Sequence, residues 1–117
     1  MVNRVTLVGR LGKDVELRYT PNGKPIARLR IATDSSHTGA DGSRVKKTDW
    51  HSLVVFGSTA TACANYLVKG SLVYVEGSLR TRKWTGEDKV ERYSTEVIAR
   101  LVRFLDSRRG DNTETEF

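Results

Sequence analysis

Side chains alternate between apolar and polar through the longest extended stretch of the chain, Ser71 to Leu101. Successive residues of a strand point to opposite faces, so the even-numbered residues from 72 to 84 share one face. The other face begins apolar, with Val73 and Val75, and a polar turn is expected over residues 85–91. The pattern predicts a β-hairpin. Its return strand has Tyr93, Val97 and Leu101 on one side, and Ile98 and Val102 on the other.

The first strand of this hairpin is longer than a small domain is wide. The stretch from Ser71 to Trp84 would span about 46 Å, whereas a compact domain of this length is about 35 Å across. The hairpin is therefore expected to project as an arm. The projecting part carries Arg80, Arg82, Lys83, Trp84, Lys89 and Arg92. Single-stranded nucleic acid would explain these side chains, because its phosphates bind cations and its unpaired bases stack on an indole. The alternative is an arm that swaps into a neighbouring subunit and hides Trp84 there.

The residues before the hairpin predict three further strands and a polar connection. Asn3–Leu11 is a strand that Val15–Tyr19 continues, Pro25–Asp34 is the second strand, and Thr48–Gly57 is the third. The segment Ser35–Lys47 is predicted to be a mobile loop, because it is too polar to belong to the core.

Two of these strands carry candidate ligand-binding side chains. Arg28 and Arg30 lie opposite the apolar face of the second strand, so they are expected to face solvent or a ligand. On the third strand Trp50 and Phe56 share a face, and Leu53 and Val55 share the other. The pattern leaves open whether the aromatic face is a stacking platform or part of the core.

One segment has helical rather than strand periodicity. Ala60, Cys63, Ala64 and Leu67 recur at helical spacing, which predicts a helix over Ser58–Val68. Three strands, a helix and two more strands is the order of an OB-fold. We therefore predict a mainly β protein, a five-stranded OB-fold barrel with one short helix between strands 3 and 4 and a long projecting hairpin. Residues 1–106 form this domain, and residues 107–117 form a short, acidic, disordered tail.

The charge distribution favours a polyanionic ligand. Residues 1–109 have a net charge of +9, whereas residues 110–117 have a net charge of −3. The lone cysteine, Cys63, excludes an internal disulfide and fits a reducing compartment. The chain has no run of transmembrane length, and its first residues enter a strand at once, so no signal segment is expected. These features predict a cytoplasmic protein that does not bind membranes.

Catalysis is not expected from this composition. His37 and His51 are the only histidines, and together with one cysteine they give no zinc-site spacing. The phosphate-binding loop of nucleoside triphosphatases is absent, and so is the nucleophile elbow of hydrolases. The sequence therefore predicts a binding protein that needs no cofactor and no metal.

Several stretches in order resemble the bacterial single-stranded-DNA-binding protein (SSB) family: VNRVTLVGRLGKD, RYTPNG, TDWHSLVVFG, YLVKGSLVYVEGSLRTRKW and YSTEV. The resemblance covers about residues 2–105. It implies a homotetrameric OB-fold protein that coats single-stranded DNA with little sequence preference during replication, recombination and repair. An OB-fold protein that binds RNA, or a primosome-type adaptor that mainly binds proteins, remains the alternative.

The resemblance also assigns roles by position. The base-stacking residues that it implies are Trp50, Phe56 and Trp84, and the cations along the DNA path are Lys69, Arg80, Arg82 and Lys83. Arg28 and Arg30 are particular to this sequence and are weaker phosphate candidates. A tryptophan common in the family falls at about His37, which would stack with less area. Ser52 and Ser58 stand where basic residues are usual.

The end of the chain departs further from the family pattern. The long Gly- and Gln-rich linker is missing, and Thr115-Glu116 replaces the usual Ile-Pro before the final phenylalanine. An acidic tip ending in phenylalanine docks onto replication and repair enzymes in the family. The corresponding residues here are Asp111, Glu114, Glu116 and Phe117. The alternative is an ordinary disordered terminus.

Overall fold

Six strands and one helix make up the part of the chain that the structure, a computed structural model, describes, which is residues 1–106. In chain order they are β1 (Val5–Leu11), β2 (Glu16–Tyr19), β3 (Pro25–Thr38), β4 (Arg44–Phe56), α1 (Gly57–Tyr66), β5 (Leu72–Thr85) and β6 (Glu91–Phe104). The predicted OB-fold is confirmed, with the helix between β4 and β5. The predicted first strand is divided into β1 and β2. The predicted tail lies outside the described residues.

Pairing between β1 and β3 closes the barrel. The strands follow the order β1-β5-β6-β4-β3-β2, and β1 returns to pair with β3 through Leu11 and Ile31. Neighbouring strands are antiparallel except β4 and β6, which run parallel where Leu53 meets Val97. A closed sheet divides every strand into an inner and an outer face, and only the outer face is open to a ligand.

The inner face of the barrel decides which side of β4 is the core. Leu53 and Val55 are 1% exposed, whereas Trp50 is 49% and Phe56 is 46% exposed. The two aromatic rings therefore lie outside the core, and their use as a stacking platform stays a prediction. The buried cluster, with the α1 residues that pack onto it, consists of Leu11, Ala27, Leu29, Ile31, Leu53, Val55, Ala60, Cys63, Leu67, Val73, Val75 and Val97.

The segment from Ser35 to Lys47 is not the predicted irregular loop. Strands β3 and β4 stay paired as far as Thr38 and Arg44, so most of this segment is a second hairpin. Its turn is held by the Asp41 carboxylate, which accepts hydrogen bonds from the backbone N–H and the hydroxyl of Ser43. These bonds hold the pKa of Asp41 below its ordinary value. The prediction was wrong because backbone pairing needs no apolar face.

A β-bulge corrects the predicted faces of the return strand. Glu76 pairs with Leu101 but Gly77 pairs with Ala99, so Arg100 is an extra residue in β6. The extra residue reverses the alternation. Val102 therefore packs against the core on the same side as Val97, and Leu101 does not share that side.

The arm projects as predicted, and its strands leave the barrel together. From Leu79 to Thr85 every residue of β5 is exposed, and so are Glu91, Arg92 and Tyr93 at the start of β6.

Within residues 1–106 there is no helix whose length and hydropathy would let it cross a membrane.

We expect Cys63 to be unreactive in the native protein. The side chain is fully buried, and burial raises the pKa of its thiol from 9.0 to about 11. Because the thiolate is the reactive form, a thiol reagent such as DTNB should modify the protein at pH 8 only after denaturation. A native thiol that reacted as fast as the unfolded one would contradict this.

The same shift in pKa gives a pH dependence of stability. The thiol ionises at lower pH in the unfolded chain than in the folded protein. Its contribution to the free energy of unfolding is therefore complete below about pH 9 and declines as the pH rises toward 11. Urea unfolding of the native protein and of Cys63→Ala at pH 7 and pH 10 would isolate this contribution.

Candidate nucleic-acid interface

The outer face of β3 and β4 carries two of the candidate stacking residues. Trp50 lies opposite Ala32 in the middle of the β3–β4 pairing, and Phe56 lies opposite Ile26 at one end of it. The two residues are six positions apart along β4, which corresponds to about 20 Å. The two rings are therefore too far apart to clamp a single base between them.

The Trp50 indole lies against the backbone of Gly12 and beneath an arginine. A Cβ atom at Gly12 would come within 2.2 Å of Cζ3 of the indole. The Gly12 N–H donates to the carbonyl of Arg30 (2.8 Å), which fixes this contact to β3. The Arg30 guanidinium lies 5.4 Å from the ring centroid, within the range of a cation–π interaction. The exposed ring is thus held in one orientation.

The Trp84 indole on the arm is held in a similar way. Its Nε1–H donates to Oγ of Ser94 at 2.9 Å. Arg92, the cross-strand neighbour of Trp84, lies with its guanidinium 5.7 Å from the ring centroid. Arg92 also binds Asp88 in the arm's turn at 2.6 Å. These contacts leave Trp84 44% exposed.

Three of the candidate phosphate-binding arginines converge on one carboxylate. Glu96 lies 3.4 Å from Arg28, 3.6 Å from Arg80 and 4.0 Å from Arg82. The Glu96 side chain is only 6% exposed, while the three arginines remain 45–55% exposed. Arg80, Arg82 and Trp84 share one face of the arm by alternation. A cationic row thus runs from the barrel onto the arm.

The remaining candidates lie apart from this row. Lys69 precedes Gly70, whose N–H donates to the carbonyl of Leu11 (2.8 Å), so its loop lies beside Gly12, which contacts Trp50. Lys83 lies on the reverse face of the arm and pairs with Glu91 at 3.0 Å. His37 lies opposite Val45 in the β3–β4 hairpin, on the face of β3 opposite to Arg28.

Hydrogen bonding also favours the ionised form of Asp34 in this hairpin. The Thr48 hydroxyl donates to Asp34 at 2.7 Å, and Lys46 lies 3.5 Å from the same carboxylate. The bond from Thr48, helped by Lys46, holds the pKa of Asp34 below its ordinary value.

Within residues 1–106 no group of three or more His, Cys, Asp or Glu side chains is placed to hold a metal ion.

A model of the single-strand binding protein family matches residues 2–105. The chain belongs to this family. Two solved structures are similar to it over most of its length. The SSB of Plasmodium falciparum in complex with ssDNA has a TM-score of 0.85 and 32% identity, over 91% of this chain and 97% of that chain. A deletion mutant of the single-stranded DNA binding protein from Thermus aquaticus has a TM-score of 0.80 and 30% identity, over 92% and 52% of the two chains.

Sequence reasoning missed two features of this family member's outer face. Glu96 was not singled out, because its three partners come from β3 and β5 and no spacing along the chain reveals them. Gly12 was not connected with Trp50, since the contact depends on barrel closure. The only signal for Glu96 was a carboxylate directly before the apolar Val97.

We expect Gly12→Ala to displace the Trp50 ring. The added methyl group would overlap the indole, and overpacking of this kind costs about 1–3 kcal/mol. Urea unfolding should show the lower stability, and tryptophan emission should shift as the ring becomes more mobile.

The matched control is Gly12→Ala in a Trp50→Ala background. Without the indole, the three atoms nearest to the added methyl group are gone, so its cost should fall to about a few tenths of a kcal/mol, within the scatter of independent sites. An equal cost in both backgrounds would show that the Gly12–Trp50 contact is not the cause.

Proposed function

We propose that this protein binds and protects single-stranded DNA without reading its sequence, during replication, recombination and repair. One observation carries the proposal: the oriented, half-exposed rings of Trp50 and Trp84 are connected by a row of half-exposed arginines on the outside of the barrel. The Plasmodium falciparum relative, solved with ssDNA, supports the same ligand.

The binding free energy would come from two sources. Stacking of unpaired bases on Trp50, Phe56 and Trp84 is worth about 1–3 kcal/mol per base. Arginine and lysine contacts to the backbone release counterions, so the logarithm of affinity falls by roughly 0.7 per neutralised phosphate for each unit of log salt. Duplex DNA hides its base faces, which makes it a poor competitor. This mechanism involves no catalytic step and no cofactor.

The stacking residues can be tested one at a time. Trp50→Ala, Phe56→Ala and Trp84→Ala should each weaken binding to oligo-dT by about 1–3 kcal/mol, since each removes one ring. The measurement is fluorescence anisotropy of labelled oligo-dT at two salt concentrations, with duplex DNA and the equivalent RNA as competitors.

The matched control is Tyr93→Ala. Tyr93 is an exposed aromatic residue on the arm, but alternation places it on the reverse face beside Lys83. The Tyr93→Ala substitution should change the affinity for oligo-dT much less than Trp84→Ala does. Equal losses would refute the proposed path, and RNA competing as well as oligo-dT would favour the RNA-binding alternative.

We further propose that the protein is a homotetramer. Strand β1 pairs with β5 along one edge, whereas in the described part of the chain its other edge is paired with β3 only at Arg10 and Leu11. An unpaired strand edge is a ready site for a second copy. Val8, which is 49% exposed on the outer face of β1, gives the same region an apolar contact.

We also propose that the acidic end of the chain recruits replication and repair enzymes. The candidate residues Asp111, Glu114, Glu116 and Phe117 lie outside the described residues, and their composition supports the proposal. Deletion of Phe117 should reduce binding to DNA-processing enzymes and leave oligo-dT affinity unchanged. Surface plasmon resonance with immobilised helicase or exonuclease would test this, and unchanged enzyme binding would refute it.

We place the protein in the cytoplasm, associated with the nucleoid. A DNA ligand and a lone, buried cysteine support this location. The Nε2 atom of His51 shares a hydrogen bond with the Thr33 hydroxyl at 2.8 Å, and we interpret this histidine as a structural residue.

A further inference from the structure

A nearly buried carboxylate lies in the middle of a surface that is otherwise suited to an anion. Glu96 is on the outer face of β6 and is only 6% exposed. Removing a carboxylate from water costs free energy unless charged partners compensate, and an apolar side chain would fill the same space at no such cost. Its position against the arginine row therefore requires an explanation.

The partners of Glu96 come from two separate parts of the fold. Arg80 is its direct cross-strand neighbour on β5, and Arg82 follows two residues further along the arm. Arg28 belongs to β3, which is separated from β6 by β4. The carboxylate therefore connects the barrel wall to the base of the arm and holds guanidinium groups from both.

The arginines remain able to bind a second anion. Each guanidinium has five N–H donors in a planar fork, and the contacts with Glu96 are single ion pairs of 3.4–4.0 Å. The three side chains are also 45–55% exposed. Three cations and one carboxylate leave a net charge of +2 in the cluster, which still attracts phosphate.

We propose that Glu96 is a positioning residue for single-stranded DNA binding, which orders Arg28, Arg80 and Arg82 into one phosphate-binding row. This inference rests on the proposed function. Without the carboxylate the three like charges repel one another, and a bound strand has to order three long side chains itself. Glu96 does not contact the strand; it acts through the arginines.

The proposal and simple electrostatics predict opposite signs. If Glu96 only subtracts charge from a cationic surface, Glu96→Gln should tighten binding to a polyanion. If it orders the arginines, Glu96→Gln should weaken binding although the net charge rises. We expect the full-length variant to bind oligo-dT about ten-fold more weakly at every salt concentration, because the ordering cost passes to the complex.

Glu16→Gln is the matched control for charge. Glu16 is the cross-strand neighbour of Arg28 on β2, so it lies on the same outer face, but its ion pair is with Lys13 at 3.3 Å. Its replacement makes the same change in net charge without releasing the three arginines. We expect oligo-dT to bind this variant as tightly as the native protein or slightly more tightly.

A mutant cycle separates positioning from a merely structural role. In a background with Arg28→Ala, Arg80→Ala and Arg82→Ala, measured at low salt so that stacking alone gives detectable binding, Glu96→Gln should no longer weaken oligo-dT binding. A loss of similar size in that background would overturn the proposal, since Glu96 would then act through the fold.

The remaining outcomes also decide the matter. Tighter binding by Glu96→Gln, or an effect equal to that of Glu16→Gln, would overturn the positioning role. If thermal melting shows that Glu96→Gln is unfolded, Glu96→Asp keeps the charge but withdraws the carboxylate, and native affinity in that variant would overturn the proposal. A native protein that fails to bind oligo-dT refutes the proposed function itself. If the native protein binds oligo-dT and substitution of Glu96 does not change the affinity, only this inference is refuted.

Discussion

Closure of the barrel between β1 and β3 is the contact on which the rest of the structure depends. It is possible because Gly9 has no side chain: a Cβ atom there would lie 2.3 Å from the carbonyl oxygen of Ala32. Once Leu11 meets Ile31, each strand has one face inside and one outside. The same closure brings Gly12 beneath Trp50, so the core and the candidate interface are organised by one close approach of two backbones.

Exposed tryptophan rings would ordinarily collapse onto apolar surface or move freely. Here each is held by contacts with polar and charged groups, Arg30 at Trp50 and both Ser94 and Arg92 at Trp84. A ring that is already oriented loses less conformational entropy when a base stacks on it. The two rings of the candidate interface would therefore need little reordering for the stacking that we propose.

Element order and fold class could be predicted from the sequence, because apolar periodicity distinguishes the strands from the one helix. The sidedness of β4 could not, since both faces contain large apolar residues and only barrel closure selects Leu53 and Val55. The β3–β4 hairpin was missed because backbone pairing leaves no apolar signature. The faces of Leu101 and Val102 were missed because one extra residue, Arg100, reverses the alternation.

The candidate site was predictable to a similar, limited extent. Aromatic and basic residues at alternate positions, together with the resemblance, pointed to Trp50, Phe56, Trp84 and the arginines, and their individual roles stay predictions. The structure brings Arg28, Arg80 and Arg82 together, and it places Lys83 and His37 on reverse faces. Glu96 could not be found from sequence, because its partners are distant along the chain.

The side chain of Asn3 exchanges two hydrogen bonds of 2.8 Å with the backbone of Leu79, across a separation of 76 residues. During synthesis β1 therefore remains unpaired until its partner strand β5 has left the ribosome. Contacts of such high sequence separation slow folding and leave early strands exposed to other chains. The unpaired β1 strand of the nascent chain is thus exposed to aggregation until β5 has been synthesised.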